Sequence, residues 1–124
     1  MNIIISNTSE KPIYEQISFQ IKMEILNGNL KENDPLPSIR ALAKELKISV
    51  ITTKRAYEDL QKEGFITTVS GKGTFISSTD KKILIQKNLE DLQKKILECV
   101  NFAKSFGVDL QKFKEILENI YQEE

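Results

Sequence analysis

Hydrophobic positions first recur on a four-residue step. Ile13, Ile17, Ile21 and Ile25, with Tyr14 and Leu26 beside them, predict an amphipathic helix. Pro12 suits its first position, where a missing N–H costs nothing, and Asn27-Gly28-Asn29 tolerates the positive φ that ends a helix. Lys31-Glu-Asn-Asp-Pro-Leu-Pro37, with two prolines, reads as a loop. Ser38 is an N-cap candidate, and Ile39, Leu42, Ala43 and Leu46 form the apolar stripe of a short second helix. After the break Lys47-Ile48-Ser49, with Ser49 as the next N-cap, a third helix runs to about Glu63 and buries Thr53, Ala56, Tyr57 and Leu60. Gly64 stands where a left-handed residue is wanted.

The period then shortens. Phe65-Ile-Thr-Thr-Val69 and Thr74-Phe-Ile76 are rich in β-branched and aromatic residues, and Ser70-Gly-Lys-Gly73 between them predicts a hairpin with a basic tip. From Ser78 the step is helical again: Ile85, Leu89, Leu92, Ile96, Val100 and Ala103 mark a helix of roughly five to seven turns. Gly107 breaks it, Asp109 can cap the next, and Leu110, Phe113, Leu117 and Ile120 mark the last. The expected fold is mainly α with a small β-hairpin: a winged helix-turn-helix over residues 1–77 and a two-helix region over 78–124, divided near Ser77-Ser78-Thr79.

Composition removes function classes. The 124 residues include no His and one Cys, Cys99. No imidazole base, Ser-His or Cys-His pair, thiolate zinc site or intrachain disulfide can be assembled from them. An enzyme is not expected, nor a cofactor or a metal. No apolar run is longer than Ile3-Ile4-Ile5, well short of the roughly 20 residues a spanning helix needs, and no secretory signal pattern opens the chain. The expected compartment is the cytoplasm. Cys99 is expected as a small buried hydrophobe, and Tyr14, Phe19, Tyr57, Phe65 and Phe75 as core.

In a winged helix-turn-helix the third helix enters the DNA major groove. Net charge neither supports nor opposes this, because 18 basic residues balance 18 acidic ones. Between Ser38 and Gly73 the balance is locally basic: Arg40, Lys44, Lys47, Lys54, Arg55, Lys62 and Lys72 against Glu45, Glu58, Asp59 and Glu63. A protein-interaction module built on a winged helix, without sequence-specific DNA binding, is the alternative, and the neutral charge is its appeal.

Pro12-Ile-Tyr-Glu-Gln-Ile17, Leu36-Pro-Ser-Ile-Arg40, Ala41-Leu-Ala43, Thr52-Thr-Lys-Arg-Ala-Tyr57, Leu60, Glu63-Gly64 and Gly71-Lys-Gly-Thr-Phe75 resemble, in order, the GntR family of bacterial transcription regulators. The short two-helix tail resembles the YtrA-like subfamily. The resemblance implies a homodimeric repressor that binds a palindromic site in double-stranded DNA, with targets such as ABC-transporter operons. It implies DNA contact by Ser38 and Arg40 around the start of the second helix, by Ser49, Val50, Ile51, Thr52, Lys54 and Arg55 in the third, and by Ser70, Gly71, Lys72 and Gly73 at the wing tip. Two departures stand out. Ala41 lacks the Glu that would complete a capping box. Val50 and Ile51 are apolar where relatives carry arginine or polar residues, which favours thymine methyls over guanine.

Phe102, Phe106, Phe113 and Tyr121 are too many apolar groups for two helices to hide. With Leu89, Leu92, Ile96, Val100, Leu117 and Ile120 they are expected to form a homodimer interface, and a two-fold dimer matches a palindrome. A membrane-surface helix is disfavoured, because 8 basic and 9 acidic residues over 78–124 give no basic face. A small-molecule effector would have to sit between the tails or between tail and reader.

Overall fold

The computed structural model describes residues 1–78 and 81–123, with only the backbone of Lys81. The chain forms two compact units, Met1–Leu84 and Ile85–Glu124. Of the boundary tripeptide expected from sequence, Thr79 lies outside the described residues.

The first unit runs α1 (Ile13–Leu26), β1 (Pro35–Leu36), α2 (Ile39–Leu46), α3 (Val50–Lys62), β2 (Ile66–Val69) and β3 (Gly73–Ile76). Helix α1 presents Ile17, Ile21 and Ile25 to the core, as its four-residue step predicts, while Pro12 is the N-cap and lies just outside the helix. Leu36, Leu42, Ala56, Tyr57, Leu60, Phe65, Ile66, Ile76 and Leu84 complete the buried cluster. Burying a side chain such as Leu60 or Ile21 contributes roughly 1.5–3 kcal/mol. Phe19 departs from expectation: it is 47 % exposed, under the Lys11 ammonium at 4.7 Å from its ring centre.

Helix α2 ends with Lys47 in the left-handed region at φ 57°, and the Ile48 N–H returns to the Ala43 carbonyl at 3.0 Å. That reversal lets α3 start three residues later, at the cost of roughly 1–2 kcal/mol for a residue with a Cβ. The wing has a third strand that sequence periodicity does not reveal. β1 pairs antiparallel with β3, Pro35 opposite Phe75 and Leu36 opposite Thr74, in a sheet ordered β1-β3-β2. A proline fits here because β1 is an edge strand.

Upstream of α1, Ile3 and Ile5 pack against the core while Ile4 is 71 % exposed. Two glutamines of α1 hold this segment. Gln16 Oε1 accepts from the Ser6 N–H at 2.8 Å, and its amide nitrogen donates to the carbonyls of Ser6 (3.0 Å) and Lys11 (2.9 Å). Gln20 exchanges both bonds with the backbone of Ile4.

Helix α4 spans Lys81–Ser105 and α5 Leu110–Glu123. Gly107, at φ 83°, makes the turn between them, and Asp109 Oδ1 caps α5 by accepting from the Lys112 N–H at 2.8 Å. Cys99 is exposed, against the expectation that it is buried: it lies on a helix face that the second unit leaves uncovered. No helix among the described residues is long and apolar enough to cross a membrane.

Candidate nucleic-acid interface

Two serine-capped helix starts define the candidate surface. Ser38 Oγ accepts from the Ala41 N–H at 3.1 Å, and Ser49 Oγ from the Thr52 N–H at 3.0 Å. Both helices therefore begin cleanly, with their remaining N–H groups and positive dipole ends available to a phosphate. Arg40, the second residue of α2, is exposed and its guanidinium has no hydrogen bond or ion pair among the described residues. A free guanidinium there can take a guanine edge or a phosphate.

The turn before α2 is held by a residue of α3. Tyr57, 4 % exposed, donates from its hydroxyl to the Pro37 carbonyl at 2.7 Å. Burial, reinforced by the nearby Glu45 carboxylate, pushes the Tyr57 phenol well above its ordinary range, so it stays a donor. Periodicity marks Tyr57 as core, but nothing local shows that its hydroxyl reaches back 20 residues to fix the approach to Ser38 and Arg40.

Along α3, Val50 is 45 % and Ile51 81 % exposed, while Thr52 is half-buried and hydrogen-bonded to Ser49. Lys54 stands 3.9 Å from Glu58 one turn on, both largely in solvent. Arg55 takes a different course: its guanidinium stacks 3.8 Å over the Tyr14 ring on α1. Tyr14, expected from sequence in the core, packs against the core cluster and also carries the Arg55 guanidinium on its ring. A stacked guanidinium keeps its in-plane N–H groups, so the geometry orients Arg55 and leaves its donors open. Of the late acids, Glu63 is drawn off to an ion pair with Lys22 of α1.

The wing tip Ser70-Gly71-Lys72-Gly73 is exposed, closed by the Lys72 N–H to the Val69 carbonyl at 3.0 Å. Gly71 and Gly73 sit at φ 76° and 118°, with open space where a Cβ would lie, so glycine is required by the backbone and not by crowding. Thr68 of β2 donates to Gln61 Oε1 at 3.2 Å and ties the wing to α3.

In the second unit, Leu89, Leu92, Ile96, Phe102, Phe106, Leu117, Ile120 and Tyr121 are all between 45 and 78 % exposed, and Val100 and Phe113 are half-buried. Leu97, Leu110 and Ile116 join the same exposed apolar set, beyond the residues expected from sequence at an interface. Phe102 and Phe106 meet edge to face at 5.2 Å. Together with Ala103, Phe113 and Ile120 they line an open apolar groove of about 320 Å³.

Residues 13–76 match the family described as bacterial regulatory proteins, gntR family. The chain belongs to that family. Across 118 residues it is 36 % identical to the HTH-type transcriptional repressor YtrA of Bacillus subtilis, an alignment covering 95 % of this chain and 91 % of YtrA. It lies in the YtrA-like subfamily. Among solved structures it is similar to one described as a transcriptional antiterminator from Listeria monocytogenes, with a TM-score of 0.78 and 31 % identity over 99 % of this chain and 92 % of that one. A second neighbour is the DNA-binding domain of AraR in complex with operator ORX1, with a TM-score of 0.53 and 28 % identity over 60 % of this chain and 92 % of that one. Membership makes the chain a DNA-binding transcription regulator and not an enzyme.

Proposed function

We propose that the chain is a homodimeric cytoplasmic repressor of a palindromic operator, with residues 1–77 as reader and 78–124 as dimerisation tail. Helix α3 lies in the major groove through Ser49, Val50, Ile51, Thr52, Lys54 and Arg55. Ser38 and Arg40 contact DNA from α2, and Ser70, Gly71, Lys72 and Gly73 from the wing. The observation that carries the dimer is the apolar surface of α4 and α5, with Phe102 at 70 % and Phe106 at 64 % exposure. Such a surface, contiguous along two helices, needs a cover, and an isologous contact supplies one from the chain itself. Two readers then meet half-sites about 10 bp apart. The repressor named YtrA in Bacillus subtilis supports the direction of control. An ABC-transporter operon is the target that the YtrA-like resemblance implies.

Selection against random duplexes tests the DNA arm, and sedimentation the assembly. The expected result is a two-fold palindrome bound by a dimer, and a Phe102→Asp, Phe113→Asp double variant that sediments as a folded monomer and binds the site far more weakly. A wild-type monomer at micromolar concentration would overturn the dimer.

A further inference from the structure

The first turn of α3 turns most of its polar groups on itself. Ser49 Oγ accepts from the Thr52 N–H and donates to Thr52 Oγ1 at 2.8 Å. Thr53 is fully buried, and its hydroxyl donates to the Ser49 carbonyl at 3.1 Å. What this turn offers outward is aliphatic: Val50, 45 % exposed, and Ile51, 81 % exposed. Neither belongs to the core cluster or to the residues packed against it, so folding gives no reason for an isoleucine at such a position.

Bidentate reading of guanine or adenine in the major groove takes Arg, Lys, Asn or Gln, and residues 49–53 contain none. The feature that an aliphatic side chain can read there is the thymine 5-methyl. We infer that Val50 and Ile51 read thymine methyl groups, so that each operator half-site carries A·T pairs where the first turn of α3 enters the groove. This rests on the proposed placement of α3 in the major groove and assigns the base class it selects. The two residues are adjacent and point about 100° apart around the helix. They therefore meet two separate methyls, on neighbouring base pairs or on opposite strands. Burying one methyl is worth about one CH₂ transfer, or roughly fourfold in affinity.

Replacing thymine by deoxyuridine removes that methyl and leaves the hydrogen-bonding edge unchanged. The test uses the full chain and its selected operator, with each half-site thymine replaced in turn, and compares wild type with Val50→Ala and Ile51→Ala. Both side chains are solvent-facing, so the variants should fold as wild type does. We expect deoxyuridine at one or two thymines to weaken wild-type binding about fourfold each. Ile51→Ala or Val50→Ala should bind both duplexes equally at the matching position. If the operator is enriched but deoxyuridine costs nothing, or costs the alanine variants just as much, methyl reading is overturned while DNA binding stands. Failure to enrich any duplex over random DNA would overturn the placement of α3, and this inference with it.

Discussion

Replacing Lys54 with Gln removes one positive charge from the exposed face of α3 and keeps a long polar side chain. Among the described residues its ion-pair partner is Glu58, 3.9 Å away with both groups more than half exposed. An i,i+4 pair of this kind is worth about 0.3–0.5 kcal/mol, below thermal energy, so it cannot hold Lys54 back from a phosphate. The lysine should therefore contribute fully to counterion release. Removing one cation from each protomer frees two phosphates per dimer, and the slope of log K against log salt should become shallower by about 1.8. Between 50 and 200 mM salt, a fourfold range, that amounts to about a twelvefold narrowing of the gap between wild type and variant. The assay is fluorescence anisotropy on a labelled operator across that range. A separate unfolding measurement should show stability unchanged to within about 0.5 kcal/mol. Parallel salt lines would refute the phosphate contact. A change near 0.9 would instead mean that one subunit is bound.

Three further outcomes follow from named contacts. Ser38→Ala should lower stability by about 1 kcal/mol by removing the α2 cap, whereas Ser38→Asp keeps an acceptor for the Ala41 N–H and keeps stability. Its charge should nonetheless weaken operator binding severalfold, and wild-type affinity in Ser38→Asp would show that Ser38 only caps the helix. Tyr57→Phe should lower stability by about 1 kcal/mol by removing the bond to Pro37. Because the folded phenol titrates above its unfolded value near 10, the wild type is favoured below that pH and loses this contribution as pH rises beyond it. Denaturant titrations from about pH 8 to 11 should show the wild type falling towards Tyr57→Phe, and parallel curves would contradict the assignment. Gln16→Ala removes three hydrogen bonds from a buried side chain and should cost roughly 2–3 kcal/mol. Amide exchange at Ser6 should accelerate with it, and unaltered protection there would show that the N-terminal segment is held otherwise.

Much of this architecture is legible in the sequence because each element carries its own local signal. The four-residue step of Ile13, Ile17, Ile21 and Ile25, the serine caps at Ser38 and Ser49, and Gly64 and Gly107 at positive φ act over one or two turns, where backbone geometry leaves few choices. The exposure of Ile51 is legible too, since at 100° per residue it falls opposite the face that buries Thr53, Ala56, Tyr57 and Leu60, whereas Val50 lies on the flank of that face and is half exposed because the helix begins there. The features that packing settles act across long separations. β1 has two residues, one of them a proline, too short for any periodicity, and exists because β3 offers it an edge. The Tyr57 bond to Pro37, the Gln16 clamp on Ser6, the Arg55 stack on Tyr14 and the Thr68–Gln61 tie each join side chains to partners whose proximity is created by folding. Hydrophobic pattern says which face of an element is buried. It does not say which polar atom on that face finds a partner, because that depends on the distance and angle between elements once packed.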